Sequence, residues 1–556
     1  MSDPLNAPPR RGWAALEPLR ERTFLTIWSA SLLSNFGQLI QGVGAAWEMT
    51  RLTSSPGMVA LVQTALMLPL MLVAVPAGAV ADMFDRRKIA MLGLAFATLS
   101  AASLTVLAAL GLTTPWVLLA SCALIGAGVA LYGPAWQASV SEQVRPELLP
   151  AAVGLASVSY NIARSFGPAI GGVVVMAAGA MAAFAINALF YLPLLAAFYF
   201  WRRKHVPPRL PPERMYRAIV SGARYAIHSP PIRNVMVRAF ATGFAGASTV
   251  ALTPLIARNL LHGDARTYGL LLGASGIGAV VGAFAVSEVR ERLKPEQAFL
   301  LCAPLSGLMI LLLGFSHSLL ASAACFMVAG AGYMLLVTLL SVGVQLSAPR
   351  WVAARALSWF QSSLTGGIAI GAWFWGSVTA DHGLQVALMV SGGLLILTPL
   401  IGLLLPMPRI SRSDAEQVEL THEPEVALPI TARSGPVVIE IDYRVDPERA
   451  RQFYEVMLGM QRTRLRNGAF EWSLSRDIAD PELWTERYHC PTWGDYLRQR
   501  SRYTNADRDL QLRIDGFHTP TGGSRVRRRL ERPFGSVRWH ADTPDHSGEH
   551  TPLLPP

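Results

Sequence analysis

Charge and cysteine are both scarce in this sequence. Asp, Glu, Lys and Arg make up 15% of its 556 residues, against roughly 25% in an ordinary soluble chain. A disordered chain is rich in charge and poor in apolar groups. This one is 52% hydrophobic, which excludes disorder and argues against a soluble enzyme over most of its length. The four cysteines exclude a disulfide scaffold: Cys122, Cys302 and Cys325 sit in apolar runs and Cys490 in a polar tail, with no metal-ligand or redox spacing. No GxxxxGK[ST] phosphate loop occurs, so direct ATP drive is not expected. No metal site or cofactor is expected. The first 22 residues lack a short apolar core and an A-x-A pattern, and read as a cytosolic tail ahead of an uncleaved first span.

Long apolar runs are what the sequence has instead. A bilayer core about 30 Å thick needs roughly 20 apolar residues as helix. Twelve runs qualify: 24–48, 57–81, 89–111, 115–136, 151–177, 180–201, 234–260, 267–288, 297–316, 318–346, 355–380 and 383–406. They form two sets of six, 24–201 and 234–408, on either side of a proline-rich basic linker, 202–233, with eight Lys/Arg. With both ends in the cytosol, the inner segments hold 21 Lys/Arg and the outer loops 3, namely Arg51, Arg258 and Arg266. That asymmetry favours an inner-membrane protein with cytoplasmic termini. It also removes nucleic acid as the reason for 48 Lys+Arg against 37 Asp+Glu.

After Pro408 the composition changes. Residues 409–435 read as a linker, 436–540 as a small cytosolic α+β domain and 541–556 as a disordered tail. VVIEIDYRV alternates like a strand, and DPERARQFYEVMLGMQRTRLRN places Ala450, Phe453, Val456, Met457 and Met460 on one helical face. GAFEWSLSRD and LWTERYHC read as strands and PTWGDYLRQRSR as a second helix.

Two six-helix halves joined by a basic linker suggest a secondary transporter with parallel repeats. The second span ends GAVADMFDRRK, with Gly78, Asp82, Asp85, Arg86 and Arg87. This resembles the loop signature of the major facilitator superfamily, with Met83 in place of a basic residue and Asp85 in place of a glycine. In the fifth span Gly154, Ala163, Gly167, Pro168, Gly171 and Gly172 have the spacing of the family's exporter-associated fifth-helix motif, Ala163 standing where a glycine is usual. Such a helix offers a proline bend and a smooth glycine face for tight packing. With SNFGQLIQGVGAAWEMTRLTSSP and SVSYNIARSFGPAIGG, residues 24–408 resemble the branch holding the enterobactin exporter and the transmembrane secretion effectors. The tail, through GAFEWSL and YLRQRSRYT, resembles the ferredoxin-like dimeric α+β barrel class that includes antibiotic-biosynthesis monooxygenases.

Polar groups at membrane depth face a cavity or a protein partner. Asn35, Gln38 and Gln41 lie three apart on one face of the first span, with Glu48 seven further on. In the implied fold this helix lines the central cavity, so substrate contact competes with interhelical hydrogen bonding. Arg164, beside Asn161 in the fifth span, is either an anion-binding or coupling residue or the partner of a carboxylate such as Asp82 or Glu142. Gln63, Tyr160, Trp359 and Gln361 are further cavity candidates. Glu48 and Asp82 are the carboxylates available for proton coupling. Arg238 is expected to snorkel to the cytosol, Trp116 and Trp201 to anchor at the interfaces, and the eighth-span glycines Gly273, Gly276, Gly278 and Gly282 to serve packing. Trp472, His489, Cys490 and Trp493 in the tail read as core or dimer contacts, and Arg525, Arg527, Arg528 and Arg529 as a solvated face rather than a lipid contact.

The resemblance implies alternating access with a small organic cargo, siderophore-like or another metabolite, exported by proton antiport. Multidrug efflux is the near alternative. A membrane-tethered cofactor-free monooxygenase, or a ligand sensor, is the alternative of another class. The tail is expected to dimerise or bind a regulatory ligand.

Overall fold

The computed structural model describes residues 14–201, 215–349, 352–407, 424, 426–428, 430–518 and 525–531. Two compact units share them.

The first unit is helical. In chain order it holds α1 (Arg22–Leu52), α2 (Pro56–Met83), α3 (Arg86–Ala109), α4 (Pro115–Ser139) and α5 (Leu149–Phe200). After α6 (Met215–His228) come α7 (Pro230–Ala251), the one-turn α8 (Thr253–Leu255), α9 (Ala265–Arg292), α10 (Pro295–Leu313), α11 (Leu319–Ser347), α12 (Ala353–His382), α13 (Leu384–Leu397) and the short α14 (Ile401–Leu404). The starts are written locally. Asp85 caps α3 by accepting from the Arg87 amide at 2.9 Å, and Asp264 caps α9 by accepting from the Thr267 amide at 3.0 Å. Pro56, Pro115 and Pro295 fill first-turn positions whose amides have no helical partner.

Among the described residues nine helices are long and apolar enough to cross a bilayer. Three features reconcile this with twelve runs. The longest, α5, reverses at Gly179, whose φ of 78° and ψ of 173° suit only glycine, and so supplies two spans, 149–178 and 180–200. Helices α1 and α12 are the more polar pair and cover the first and eleventh runs. Large apolar side chains point outward, with Leu99 67%, Leu320 82% and Leu404 85% exposed, as suits lipid rather than water. The buried seams carry small residues. A Cβ on Gly128 would stand 2.8 Å from the Gly93 carbonyl, so α3 and α4 touch backbone to backbone. Gly278 and Gly282 meet α11 in the same way.

The second unit comprises residues 216–234, 343–357 and 408–556. Its centre is β1 (Val437–Arg444), α15 (Ala450–Arg466), β2 (Phe470–Arg476), β3 (Leu483–Cys490), α16 (Trp493–Ser501), α17 (Asn505–Asp515) and β4 (Arg525–Leu530). The antiparallel order β2-β3-β1-β4, with a βαββαβ path whose second crossover is split into α16 and α17, is the ferredoxin-like arrangement. Ile439 lies opposite Tyr488 on one side and Arg528 on the other. Val437, Ile439, Ile441 and Tyr443 face Phe453, Met457 and Met460, the apolar stripe of α15.

Two elements of this unit escape the sequence pattern. Helix α17 is mostly polar. The run RVRRRL is strand β4, although arginines occupy both of its faces. Its pairing is electrostatic on one face: Arg527 meets Asp442 at 2.7 Å and Arg529 meets Glu440 at 3.0 Å.

Candidate functional site

A polar cluster forms where five spans of the first unit meet. Asn35 on α1 donates to Ser159 on α5 at 3.4 Å. The next residue, Tyr160, is 48% exposed, and one turn further on Arg164 is half-buried. Tyr132 on α4 faces Ser34 and lies within electrostatic reach of Tyr160, and Tyr333 on α11 lies within reach of both Tyr160 and Arg164. Tyr333 also closes over Gly246 on α7, where a Cβ would come within 3.1 Å of its ring. Arg164 sits midway along the span 149–178, and its guanidinium makes no hydrogen bond or ion pair among the described residues. An unpaired cation at that depth is costly unless water or an anionic guest meets it. Glu142, one expected partner, bonds instead to Arg86 at 3.0 Å.

The two six-helix halves close on each other at one end. Gly172 on α5 would place a Cβ 2.7 Å from the Ala265 carbonyl and 3.0 Å from the Gly269 Cα on α9. Gly276 meets the backbone of Arg164 and Ser165, and Ser165 Oγ donates to the Gly276 carbonyl at 3.1 Å. Between α2 and α12, Gly376 lies against Ala60 and Gly57, and Thr64 Oγ1 donates to the Ala369 carbonyl at 2.8 Å. Trp47 stacks on Tyr268 with centroids 6.4 Å apart, and Arg258 donates to the Thr50 carbonyl. This closed end therefore carries residues 47–60, 169–172, 258–269 and 369–376.

The loop motif supplies the opposite end of α2 and α3. Arg86 also donates to the Ala138 carbonyl at 3.0 Å, and Arg87 Nε to the Phe198 carbonyl at 2.7 Å, so α3, α4 and the end of α5 are tied together. Asp85 is a helix cap, which explains a carboxylate where the motif has glycine. Gly78 and Asp82 belong to α2, but their surroundings lie outside the described residues.

Other expectations move. Gln41 is 1% exposed and accepts from Asn187 Nδ2 on α5, so it joins two helices instead of facing a cavity. Gln38, Gln63, Asn161 and Trp359 are half-buried and Gln361 is exposed, and no described contact brings them into the tyrosine–arginine cluster. Glu48 pairs with Arg51 at 3.3 Å, one turn along α1. Within the fifth-helix motif, Gly167 and Gly171 pack on Leu39 and Ile40 of α1, Ala163 is fully buried and the Pro168 carbonyl meets Gly269. Gly154 meets nothing within 4 Å and has no packing role here.

Arg238 corrects the snorkelling expectation. It is 1% exposed and grips Glu296 on α10 with both terminal nitrogens, at 2.8 and 2.7 Å. Phe299 lies under its guanidinium at 4.2 Å, and the Met407 amide donates to Glu296 at 3.0 Å. The ion pair costs less than carrying a charge through apolar helix. Trp201 likewise is 7% exposed and packs edge-on against Phe198, while Trp116 is 70% exposed.

In the second unit the charged centre is Glu486, which is fully buried. It accepts from Arg464 at 3.0 and 3.2 Å, from Tyr443 at 3.0 Å and from Trp472 at 2.9 Å. Burial, reinforced by that carboxylate, pushes the Tyr443 phenol well above its usual range. Cys490 donates to Gln499 at 3.2 Å, and burial pushes its thiol up to about 12, which makes it a poor nucleophile. His489 lies between Glu471 and Glu531, at 3.4 and 3.3 Å. Trp493 packs at a tilt against Tyr496, with centroids 5.2 Å apart.

Sequence reasoning missed Tyr132, Ser159 and Tyr333. The signal available was a phenol or hydroxyl inside an apolar, glycine-flanked run, as in ALYGP and AGYMLL.

Residues 13–534 match the family model described as transmembrane secretion effector. The staphyloferrin A transporter of Staphylococcus aureus is 24% identical over 306 residues, 54% of this chain and 76% of that one. The multidrug efflux pump Tap of Mycobacterium tuberculosis is 30% identical over 189 residues, 32% of this chain and 43% of that pump. Among solved structures, a bacterial homologue of the lysosomal transporter Spinster, inward-facing and unoccupied, aligns with a TM-score of 0.54 at 14% identity, over 70% of this chain and 96% of that one. The POT family transporter PepTSo aligns with a TM-score of 0.57 at 13% identity, over 69% and 97%.

Proposed function

This chain belongs to the transmembrane secretion effector family of major facilitator transporters, and from that premise we propose that it exports a small organic molecule carrying an acidic group, by alternating access. The carrying observation is Arg164: a guanidinium midway through a span, half-buried, unpaired among the described residues and flanked by Tyr160 and Tyr333. A carboxylate or phenolate guest would supply the missing charge, and the phenols would hydrogen-bond to it. A siderophore-like metabolite has that chemistry, in keeping with the staphyloferrin A relative.

The closed end holds Arg51, Arg258 and Arg266, the cations of the sparsely charged side, and so reads as the outer end. In this reading both termini are cytoplasmic, in the inner membrane, and the described state is shut at its outer end. Rocking of the halves about the glycine seams of α5–α9 and α2–α12 would reverse the opening. A proton gradient is the proposed drive, with Glu48 and Asp82 as the carboxylates to examine. Efflux of varied drugs is the second reading, favoured by the Tap relative and by mostly apolar span walls.

Metabolite profiling of cells with and without the protein, inside and outside, tests export. Retention of one acidic metabolite in the deletion strain supports the proposal. Arg164→Gln should abolish that flux at normal membrane abundance, and Arg164→Lys should restore part of it. Full flux in Arg164→Gln removes the anion site.

A further inference from the structure

Helix α6 lies in the stretch that joins the two six-helix halves, yet it belongs to the same compact unit as the ferredoxin-like domain. It buries one face: Gly222, Tyr225 and Ala226 are covered, at helical spacing, while Ile227 is 61% exposed. Over Tyr225 stands Arg466, the last residue of α15, with its guanidinium 5.6 Å from the ring centroid. Arg466 is itself held by an ion pair with Asp507. Asp507 is fixed in turn by Thr463 at 3.1 Å and by the amide and hydroxyl of Thr504, at 3.1 and 2.9 Å, in the cap of α17. Beside this slot the chain turns through Gly468, at a φ of 112°, and a Cβ there would stand 3.9 Å from Arg224 Nη1. Burial pushes the Tyr225 phenol up to about 12 even though Arg466 pulls it down.

We propose that the ferredoxin-like domain is a regulatory clamp: its Arg466–Asp507–Gly468 slot holds α6, and the docked helix biases the transporter toward the state whose outer end is shut. The physical reason is connectivity. Residues 202–233 are the one covalent link between the halves. A helix held by a folded domain up to Asn234, where α7 carries on into the second half, leaves only 202–214 between Trp201 and that helix. Residues 343–357, which take in the end of α11 and the start of α12, belong to the same unit. The domain thus shares a unit with two connecting stretches of the second half, and a ligand or modification that loosened the slot would free the rocking motion. The clamp rests on the alternating-access reading but needs no cargo for its test.

Full-length protein in liposomes, with Gly57→Cys as reporter, carries the experiment. Gly57 has room for a side chain and sits on the closed seam, so thiol labelling there reads opening of that end. In Tyr225→Ala, amide exchange across 215–228 should speed up about tenfold. Labelling of the reporter should rise severalfold, with exchange in β1 unchanged as the sign that the domain still folds. Tyr225→Phe keeps the ring under Arg466 and should lie closer to the parent than Tyr225→Ala does. Unchanged exchange in α6 would overturn the docking. Faster exchange with unchanged labelling would overturn the control, and neither result bears on whether a metabolite is exported.

Discussion

The two units solve opposite solvation problems with the same residue. In the helical unit Arg238 is buried among spans and meets one carboxylate, Glu296, with an aromatic ring beneath it. In the α+β domain Arg464 is buried under a sheet and meets Glu486, which also takes Tyr443 and Trp472, with Tyr488 beneath the guanidinium at 4.8 Å. The helical unit turns large apolar groups outward and packs glycine against backbone within. The domain turns Arg527, Arg529, Glu440 and Asp442 outward and fills its core with Phe453, Tyr443 and methionine. What lies outside decides which side chains go inside, whereas a buried guanidinium needs a carboxylate in either setting.

The sharpest way to break that comparison is to remove one partner from each pair. Arg464→Met leaves Glu486 buried without its cation and should cost the domain about 3–5 kcal/mol. Amide exchange over β1 and β3 in the whole protein would read it, and Arg464→Met with Glu486→Gln together should recover much of the loss. Arg238→Met should cost less, about 2 kcal/mol, because Glu296 keeps a third of its side-chain surface exposed and its bond from Met407. The melting midpoint in detergent checks this, and equal costs would erase the distinction between the two sites.

Packing comes next. Gly172→Val puts carbon into a seam where even a Cβ would stand only 2.7 Å from the Ala265 carbonyl, at an overpacking cost of about 1–3 kcal/mol borne only by the shut state. Labelling of Gly57→Cys should rise about tenfold or more, and no rise would mean that the α5–α9 seam does not define that state. The smallest effect concerns pH. Burial, then Arg224, Arg233 and Arg466, hold the His228 imidazole below its usual value. Protonation therefore favours the undocked chain. Docking of α6 should be complete above the ordinary imidazole range and weaken as pH falls through the lowered value. Exchange across α6 followed from pH 7.5 to about 5 checks this, and His228→Gln should flatten the profile.

Much of this was legible beforehand for a physical reason. A span must satisfy every backbone group internally and bury no water, so its length and apolarity are written in the chain. The strands and first helix of the domain were equally plain, since Ile439, Ile441 and Tyr443 alternate and Phe453, Met457 and Met460 share a face. The arrangement of side chains was not. Gln41 carried the same polar signal as Asn35, yet only one of them joins the cluster at Arg164, because Asn187 happens to stand opposite the other. Tyr333 gave no signal apart from its neighbours. Arg238 looked like an interfacial cation until Glu296, 58 residues away, came into contact.

Sequence alone determined the membrane class, the two sets of six runs, the glycine-lined fifth span and a lone guanidinium at depth, because each follows from the solvation cost of residues near one another in the chain. Tertiary structure alone decided which end is shut, which carboxylate each arginine takes, that RVRRRL is an edge strand and that Tyr225 lies beneath Arg466. Those depend on residues distant in sequence meeting across a few ångströms, and no local pattern encodes such a distance.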